Sequence, residues 1–441
     1  MAAPSSDRLL DGNQSPDLLT TPPGPCSQAW LARARETSAP MGPPRSIDSG
    51  IVYAAARGVN VLDVDDNRYV DLAAGFGAMS LGHSHPRVCD AIELQSRTLL
   101  QSLGDVYPST VRLELEQQLL KCCGFEGGAV LLGQSGSDAV TAALKTALLA
   151  TGKPGVIAFT GAYHGLGYAP VALCGLRAGY RAPFADQLNS HVTFAPYPAD
   201  EASAARCLEL TSLTLHQGNV GAVVIEPILG RGGCIVPPDG ALARLGKLAR
   251  EAGALVIADE IWTGLGRAGH WLVCRELGLT PDIVCLGKGF GGGVPISACI
   301  GLSEVMQAWR REPEVVHTAT FAGAALAARA ALVTLEVLGE STFMQVCREA
   351  GERWRDDIAN ACLGLPVVAD VRGRGFMIGI DLGARPGIAV TAMRRLLERG
   401  YIVSTGGGAR DVVILTPPLT IADTQRKPFV SALVEVLGQL G

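Results

Sequence analysis

Residues 255–292 read LVIADEIWTGLGRAGHWLVCRELGLTPDIVCLGKGFGG, and the stretch is built twice on one plan. A short unbroken apolar run, Leu255–Ala258, stops at Asp259-Glu260; a second, Ile283–Leu286, stops at Gly287-Lys288-Gly289. Apolar runs without alternation predict strands covered on both faces, as in parallel sheets. In open α/β sheets, sites assemble at the carboxyl ends of the strands. Asp259 and Lys288, 29 positions apart, are therefore candidate partners. A solvated loop lysine would be spelled the same way, yet a long-stemmed amine at the tip of an apolar strand is an odd structural choice. Only six lysines stand against 31 arginines, so amine chemistry has few possible seats. Coding bias accounts for the scarcity as a whole, and a lysine nucleophile forms Schiff bases with carbonyls, a pyridoxal aldehyde among them.

Further strands are predicted at Ala129–Leu132, Val156–Phe159, Val192–Phe194, Ala222–Ile225 and Ala298–Gly301. Helices are predicted at Asp138–Leu149 and at Gly240–Glu251, the latter with apolar residues at Leu242, Leu245, Leu248 and Ala249. Strand–helix alternation means an α/β domain with a mostly parallel sheet. The last hundred residues or so change style. A strand pair, Val367–Val371 and Phe376–Ile380, surrounds Gly373–Gly375, and helices near 388–399 and 421–439 flank a Val412–Leu415 strand. That is a smaller α+β region. Residues 1–44 hold eight of the 26 prolines and read as a poorly ordered extension with a short helix at Trp30–Arg35.

A formal charge of −5 gives no support for nucleic-acid binding, which shows as a basic excess. With 18% charged and 48% hydrophobic residues, wholesale disorder is ruled out. Twelve cysteines without a C-x-x-C pair suit reduced thiols. The N-terminus has no apolar signal core, and no apolar run reaches the roughly 18 residues of a membrane span. A soluble cytoplasmic protein, away from membranes, is expected.

Several motifs are weaker than they look. Gly264–Gly269 and Gly287–Gly292 both match G-x-G-x-x-G, but neither sits between a strand and a helix as a dinucleotide fold needs. His83 and His85 lack further ligands at metal-binding spacing, so no metal is expected. The turn Gly133–Ala139 is better placed, between the first strand and its helix. Its Ser135, Gly136 and Ser137 present N–H groups and hydroxyls at a helix N-terminus, which makes either a phosphate cup or a plain N-cap. A phosphate cup, a strand-end carboxylate suited to a pyridinium nitrogen and a turn lysine are three parts of one site.

Together these parts resemble the class III (ω- and ornithine-type) aminotransferases, fold-type I enzymes that use pyridoxal 5′-phosphate. The likeness covers roughly residues 48–430. It is carried by YVDLAAGFGAMSLGHSHPRV (69–88), QSGSDAVTAALK (134–145), FTGAYHG (159–165), EPILGRGG (226–233), ADEIWTGLGRAG (258–269), PDIVCLGKGFGGGVPISA (281–298) and HTATFAG (317–323).

The resemblance implies a large domain with a seven-stranded, mostly parallel sheet over 76–325. It also implies a small α+β domain from 45–75 and 326–441. It makes Lys288 the lysine that holds the cofactor as a Schiff base and then shuttles a proton. Asp259 pairs with the pyridine nitrogen, and Ser135, Gly136 and Ser137 hold the phosphate. Tyr163 and Ile261 flank the ring, His164 and Glu226 stand beside it, and Thr320 reaches the phosphate of the partner subunit. A homodimer with shared active sites follows, as does ping-pong exchange between an amino donor and a 2-oxo acid. A racemase or epimerase, an aminomutase or a decarboxylase of the same family, or a non-catalytic relative, are the alternatives.

Three departures bear on the substrate. The family's glutamine after Asp-Glu-Val/Ile is Trp262. The Gln-Gly-Glu after Glu-Pro is Leu229-Gly230-Arg231, and Ile414 takes the place of the arginine that pairs with that glutamate. Arg231 either grips a substrate carboxylate or is a solvated rim charge, and Arg410 is a second candidate partner for a carboxylate.

Overall fold

The computed structural model describes residues 8–9, 11–39, 50–383 and 385–440. They form two units. The larger comprises Pro86–Glu352 and Arg372–Met377; the smaller comprises the described parts of Met1–His85, Arg353–Val371 and Ile378–Gly441.

In the larger unit, seven strands form one sheet: β1 (Ala129–Gly133), β2 (Gly155–Phe159), β3 (Val192–Ala195), β4 (Val220–Ile225), β5 (Leu255–Asp259), β6 (Ile283–Leu286) and β7 (Ser297–Gly301). Their order is β1-β7-β6-β5-β4-β2-β3. Only β7 runs against its neighbours; the other pairs are parallel. Chain length explains the exception. Just ten residues, 287–296, join β6 to β7, and a parallel return needs a crossover of a dozen or more.

Strands β2, β4, β6 and β7 are buried at every position, in keeping with their unbroken apolar spelling. Helix α1 (Gly136–Thr151) lays Ala139, Val140, Ala143 and Ala147 on the sheet, against Ala158, Val224, Ile257 and Cys285. Its small residues bring the helix close to the strands. Helices Glu201–Leu215 and Ala241–Glu251 pack on each other and on β3 and β5.

Helix Ala325–Leu338 packs on helices Pro86–Thr98 and Thr110–Cys122 and so belongs to the larger unit, not to a small domain beginning at 326. Residues 76–85 group with the smaller unit.

The smaller unit has one sheet of Tyr53–Arg57, Asn60–Asp63, Arg68–Asp71 and Tyr401–Ile402. A second sheet consists of Asp370–Arg374, Met377–Asp381, Val412–Leu415 and Ser404–Gly406; of its residues, Arg372–Arg374 and Met377 group with the larger unit. The first hairpin of the second sheet lies later than expected. Gly373 stays inside its strand and the turn falls at Gly375, which takes the left-handed φ of +53°.

The expectation of a poorly ordered extension is corrected over residues 11–39, where a helix spans Pro25–Thr37. Polar side chains, Asn60 and Asn67 among them fully buried, hold this segment. Asn60 accepts the Gln14 N–H at 2.7 Å, Asn67 accepts those of Leu19 and Thr20 at 2.8 Å, and Asp65 accepts those of Cys26 and Ser27 at 2.6 and 2.7 Å. Asp65 thereby caps the open N–H groups of the helix's first turn. The rest of the predicted extension, at 1–7, 10 and 40–44, lies outside the described residues.

Candidate active site

At the carboxyl edge of the large sheet, β5 delivers Asp259 and β6 delivers Lys288. The two strands pair in parallel with Asp259 opposite Cys285, which brings both residues to the same end. Lys288 opens a short 3₁₀ turn and has φ of +47°. Non-glycine residues seldom adopt that region, and where they do the strain often serves a site. The Lys288 ammonium lies 3.7 Å from the centroid of the Trp262 ring. Burial pushes the Lys288 amine down to about 7, against the opposing pull of Asp259 and Glu226; Arg231 and Arg267 lower it further.

Asp259 is buried, and one carboxylate oxygen sits 2.7 Å from Nδ1 of His164, itself buried. The other accepts the Ile261 N–H at 3.1 Å. Burial alone would discharge the His164 ring, but the Asp259 hydrogen bond and charge outweigh it and leave the ring more basic than usual. Nε2 of His164 is buried and has no hydrogen-bond partner among the described residues.

Glu226, just past β4, is a strut. One of its oxygens accepts the Tyr163 N–H at 2.8 Å and the other the Gly230 N–H at 2.9 Å, joining the two loops on which Tyr163 and Arg231 ride. The Arg231 guanidinium stacks 4.7 Å over the Tyr163 ring. Burial, ahead of the Asp259 charge and against His164, raises the Glu226 carboxyl above its ordinary range. Neighbouring Glu260 turns away and accepts the Cys274 N–H at 2.6 Å and the Thr263 hydroxyl; burial pushes it up to about 7.

The turn after β1 is both a cap and an opening. Ser135 and Asp138 form a reciprocal capping box, so the hydroxyl of Ser135 is engaged at the start of α1. Among the described residues no acceptor takes the N–H groups of Gly136 and Ser137. Such donors at a helix N-terminus favour an anion. A Cβ at Gly136 would stand 2.8 Å from Cδ1 of Ile261, and one at Gly287 3.3 Å from its Cγ2, so the two glycines leave room for Ile261.

Trp262 is 7% exposed, and its Nε1 is buried without a partner. Gly230 makes room for it, since a Cβ there would lie 2.7 Å from the indole. Arg267, for which the sequence reading assigned no role, is buried and donates to the Phe376 carbonyl at 3.2 Å. A Gly-rich loop around an arginine reads as solvated, which hid it.

Thr320 lies on the exposed surface of the larger unit, where the Gln101 side chain donates to its carbonyl. Arg410 is exposed in the smaller unit, with φ of +58° in the loop before Val412–Leu415, and Ile414 is fully buried in that strand. Nε2 of His83 contacts Asp71 at 2.9 Å. Among the described residues, no group of three or more His, Cys, Asp or Glu side chains could hold a metal.

The arrangement fits pyridoxal 5′-phosphate. Two unused N–H groups face an anion's place, Tyr163 and Ile261 can bracket a flat ring, and an enclosed amine lies near a carboxylate fixed by a histidine. Residues 43–437 match the protein family described as Aminotransferase class-III. An acetylornithine aminotransferase of Mycobacterium tuberculosis is 36% identical over 388 residues, covering 88% of this chain and 92% of that protein. A 4-aminobutyrate aminotransferase of the same organism is 32% identical and covers 97% of this chain and 99% of that protein. An amine transaminase from an uncultivated Pseudomonas species, solved in its PLP-bound form, superposes with a TM-score of 0.85 at 27% identity, over 91% of this chain and 98% of that one.

Proposed function

The chain belongs to the class III aminotransferases, pyridoxal-phosphate enzymes that transfer amino groups, and from that premise we propose a ping-pong exchange between an amine or amino acid and a 2-oxo acid, run by Lys288 and Asp259. The observation that carries this reading is the meeting of these two side chains at the ends of adjacent parallel strands, with the amine depressed to about 7 and the carboxylate tied to His164.

Bound pyridoxal phosphate supplies an electrophilic aldehyde and a ring that can take up the charge of a carbanion. Lys288 would hold the cofactor through Nζ, and its amine would serve as the base that takes a proton from the donor's α-carbon. An amine of this basicity accepts and returns protons near neutral pH. Asp259 would meet the pyridine nitrogen and hold a proton there, and His164 keeps the carboxylate aimed. Tyr163 and Ile261 flank the ring. Gly136 and Ser137, with Ser135 as cap, receive the phosphate. Arg231, stacked on Tyr163, offers its guanidinium edge to a substrate carboxylate, and Trp262 forms a wall beside Lys288.

A dimer completes the site. Leu100, Leu103, Val106, Tyr107 and Phe321 are exposed around the surface on which Gln101 meets Thr320 and Asp105 meets Thr318 at 3.0 Å. Such a patch of large apolar side chains marks an interaction surface. A second copy seated there brings Thr320 to the partner's phosphate. All twelve cysteines are free, and no single described helix is long and apolar enough to cross a membrane; both suit a cytoplasmic setting.

The test is to mix holoenzyme with an amino donor and no oxo acid. Stoichiometric formation of pyridoxamine phosphate is expected, followed by turnover when a 2-oxo acid is added. Sustained conversion of an amino acid without any acceptor would overturn transfer in favour of a racemase, aminomutase or decarboxylase.

A further inference from the structure

Cys122 and Cys123 are adjacent, at the last residue of helix Thr110–Cys122 and its C-cap. Their sulfurs lie 3.9 Å apart, against about 2 Å in a disulfide; adjacent Cα atoms sit only about 3.8 Å apart across a trans peptide, short of the roughly 4.4 Å a disulfide usually spans, so closing the bond must twist the 122–123 peptide as well as turn both side chains. Both line an open cleft of about 410 Å³, together with His270, Arg275 and Arg348. Cys122 is half-buried and Cys123 only 1% exposed, so a reagent entering the cleft meets Cys122 first.

Arg275 is anchored beside the pair. It donates to the Gly124 carbonyl at 2.9 Å and stacks 5.3 Å over Phe125, which fixes a positive charge beside the two thiols. The neighbouring Cys122 thiol, then burial, hold Cys123 well above the usual thiol range in spite of that charge. Elsewhere in the chain the cysteines are scattered, and none but this pair presents two thiols in sequence.

We propose that Cys122 and Cys123 form a redox modification site, a vicinal dithiol that closes to a disulfide on reaction with a peroxide. The Cys122 thiolate attacks one peroxide oxygen; the O–O bond breaks, a sulfenic acid forms, and the other oxygen leaves protonated. Cys123 sulfur then displaces the sulfenic hydroxyl, which departs as water with the Cys123 proton. The two thiols lose two electrons and the peroxide gains them, so hydrogen peroxide yields two waters. Closing the ring strains the bonds that finish the helix, Cys123 N–H to Leu119 at 3.0 Å and Phe125 N–H to Leu120 at 2.8 Å, so the oxidised protein melts at a lower temperature.

Holoenzyme is exposed to hydrogen peroxide, free thiols are alkylated, and the peptide holding residues 122–123 is weighed. The expected peptide is lighter by two hydrogens and resists alkylation until a thiol reductant is added. Cys122→Ser and Cys123→Ser lose this form. A peptide that remains doubly alkylated, or one carrying a sulfinic acid on Cys122 with Cys123 still alkylated, overturns the proposal. Phenylarsine oxide, whose arsenic bridges two neighbouring sulfurs with loss of water, gives a check on unmodified enzyme. One equivalent protects both cysteines from alkylation, and failure to protect them also overturns it.

Discussion

Nδ1 of His164 and a carboxylate oxygen of Asp259 lie 2.7 Å apart, with both side chains buried. A buried carboxylate that loses one partner bears the cost of its own desolvation, about 1–3 kcal/mol or more. His164→Phe is expected to lower the melting temperature of the protein and to weaken retention of pyridoxal phosphate. Asp259→Asn, which keeps the shape but cannot hold the pyridine proton, is expected to lower kcat by about a hundredfold or more. Wild-type melting and cofactor retention in the His164 variant would dissociate the two residues.

The depressed Lys288 amine makes cofactor capture depend on pH in a defined direction. Only the neutral amine attacks an aldehyde. With its basicity lowered to about 7 by burial, the neutral fraction rises as pH climbs through that value, well below the ordinary lysine range. Stopped-flow capture of pyridoxal phosphate by apoenzyme should speed up between about pH 6 and 8 and then level. A rate still climbing toward pH 10 would mean an ordinary lysine.

Arg231 is the residue whose role most affects substrate choice. If its guanidinium grips a carboxylate, Arg231→Ala raises KM for a carboxylate substrate at least about tenfold, close to 1.4 kcal/mol of binding, and leaves KM for an uncharged amine nearly unchanged. Equal KM values in variant and wild type for the carboxylate substrate would make Arg231 a rim charge.

Dimerisation can be tested at the apolar surface. Leu103 is 61% and Val106 66% exposed. Charge on such a patch should prevent association, so Leu103→Asp with Val106→Asp is expected to shift the protein to monomer in light scattering and to abolish activity while the fold persists by circular dichroism. A fully active monomer would remove Thr320 from the partner's site.

Much of this was legible because parallel strands carry an unmistakable spelling. Ile283–Leu286 was bounded correctly from apolar continuity alone and Leu255–Ala258 fell one residue short of the strand that ends at Asp259, and these two strand ends carry Asp259 and, two residues on, Lys288. What could not be read was pairing across the sequence. Nothing in FTGAYHG says that His164 will meet Asp259, 95 positions away, or that Glu226 will bind two backbone N–H groups on different loops. The proline-rich start misled because its order is supplied from outside, by Asn60, Asp65 and Asn67, and not by any periodicity of its own. Ser135 was ambiguous for a related reason. A helix cap and a phosphate donor use the same residue types, and only Asp138 closing the box shows which role the hydroxyl of Ser135 takes.

The central claim is that Lys288 carries the cofactor. Borohydride reduction of the holoenzyme, followed by digestion and mass analysis, tests it directly. A phosphopyridoxyl group is predicted on the peptide containing Lys288, and none on any peptide of Lys288→Ala treated in the same way. An unmodified Lys288 peptide in the wild type, or the same group on another lysine at full yield, would contradict the account.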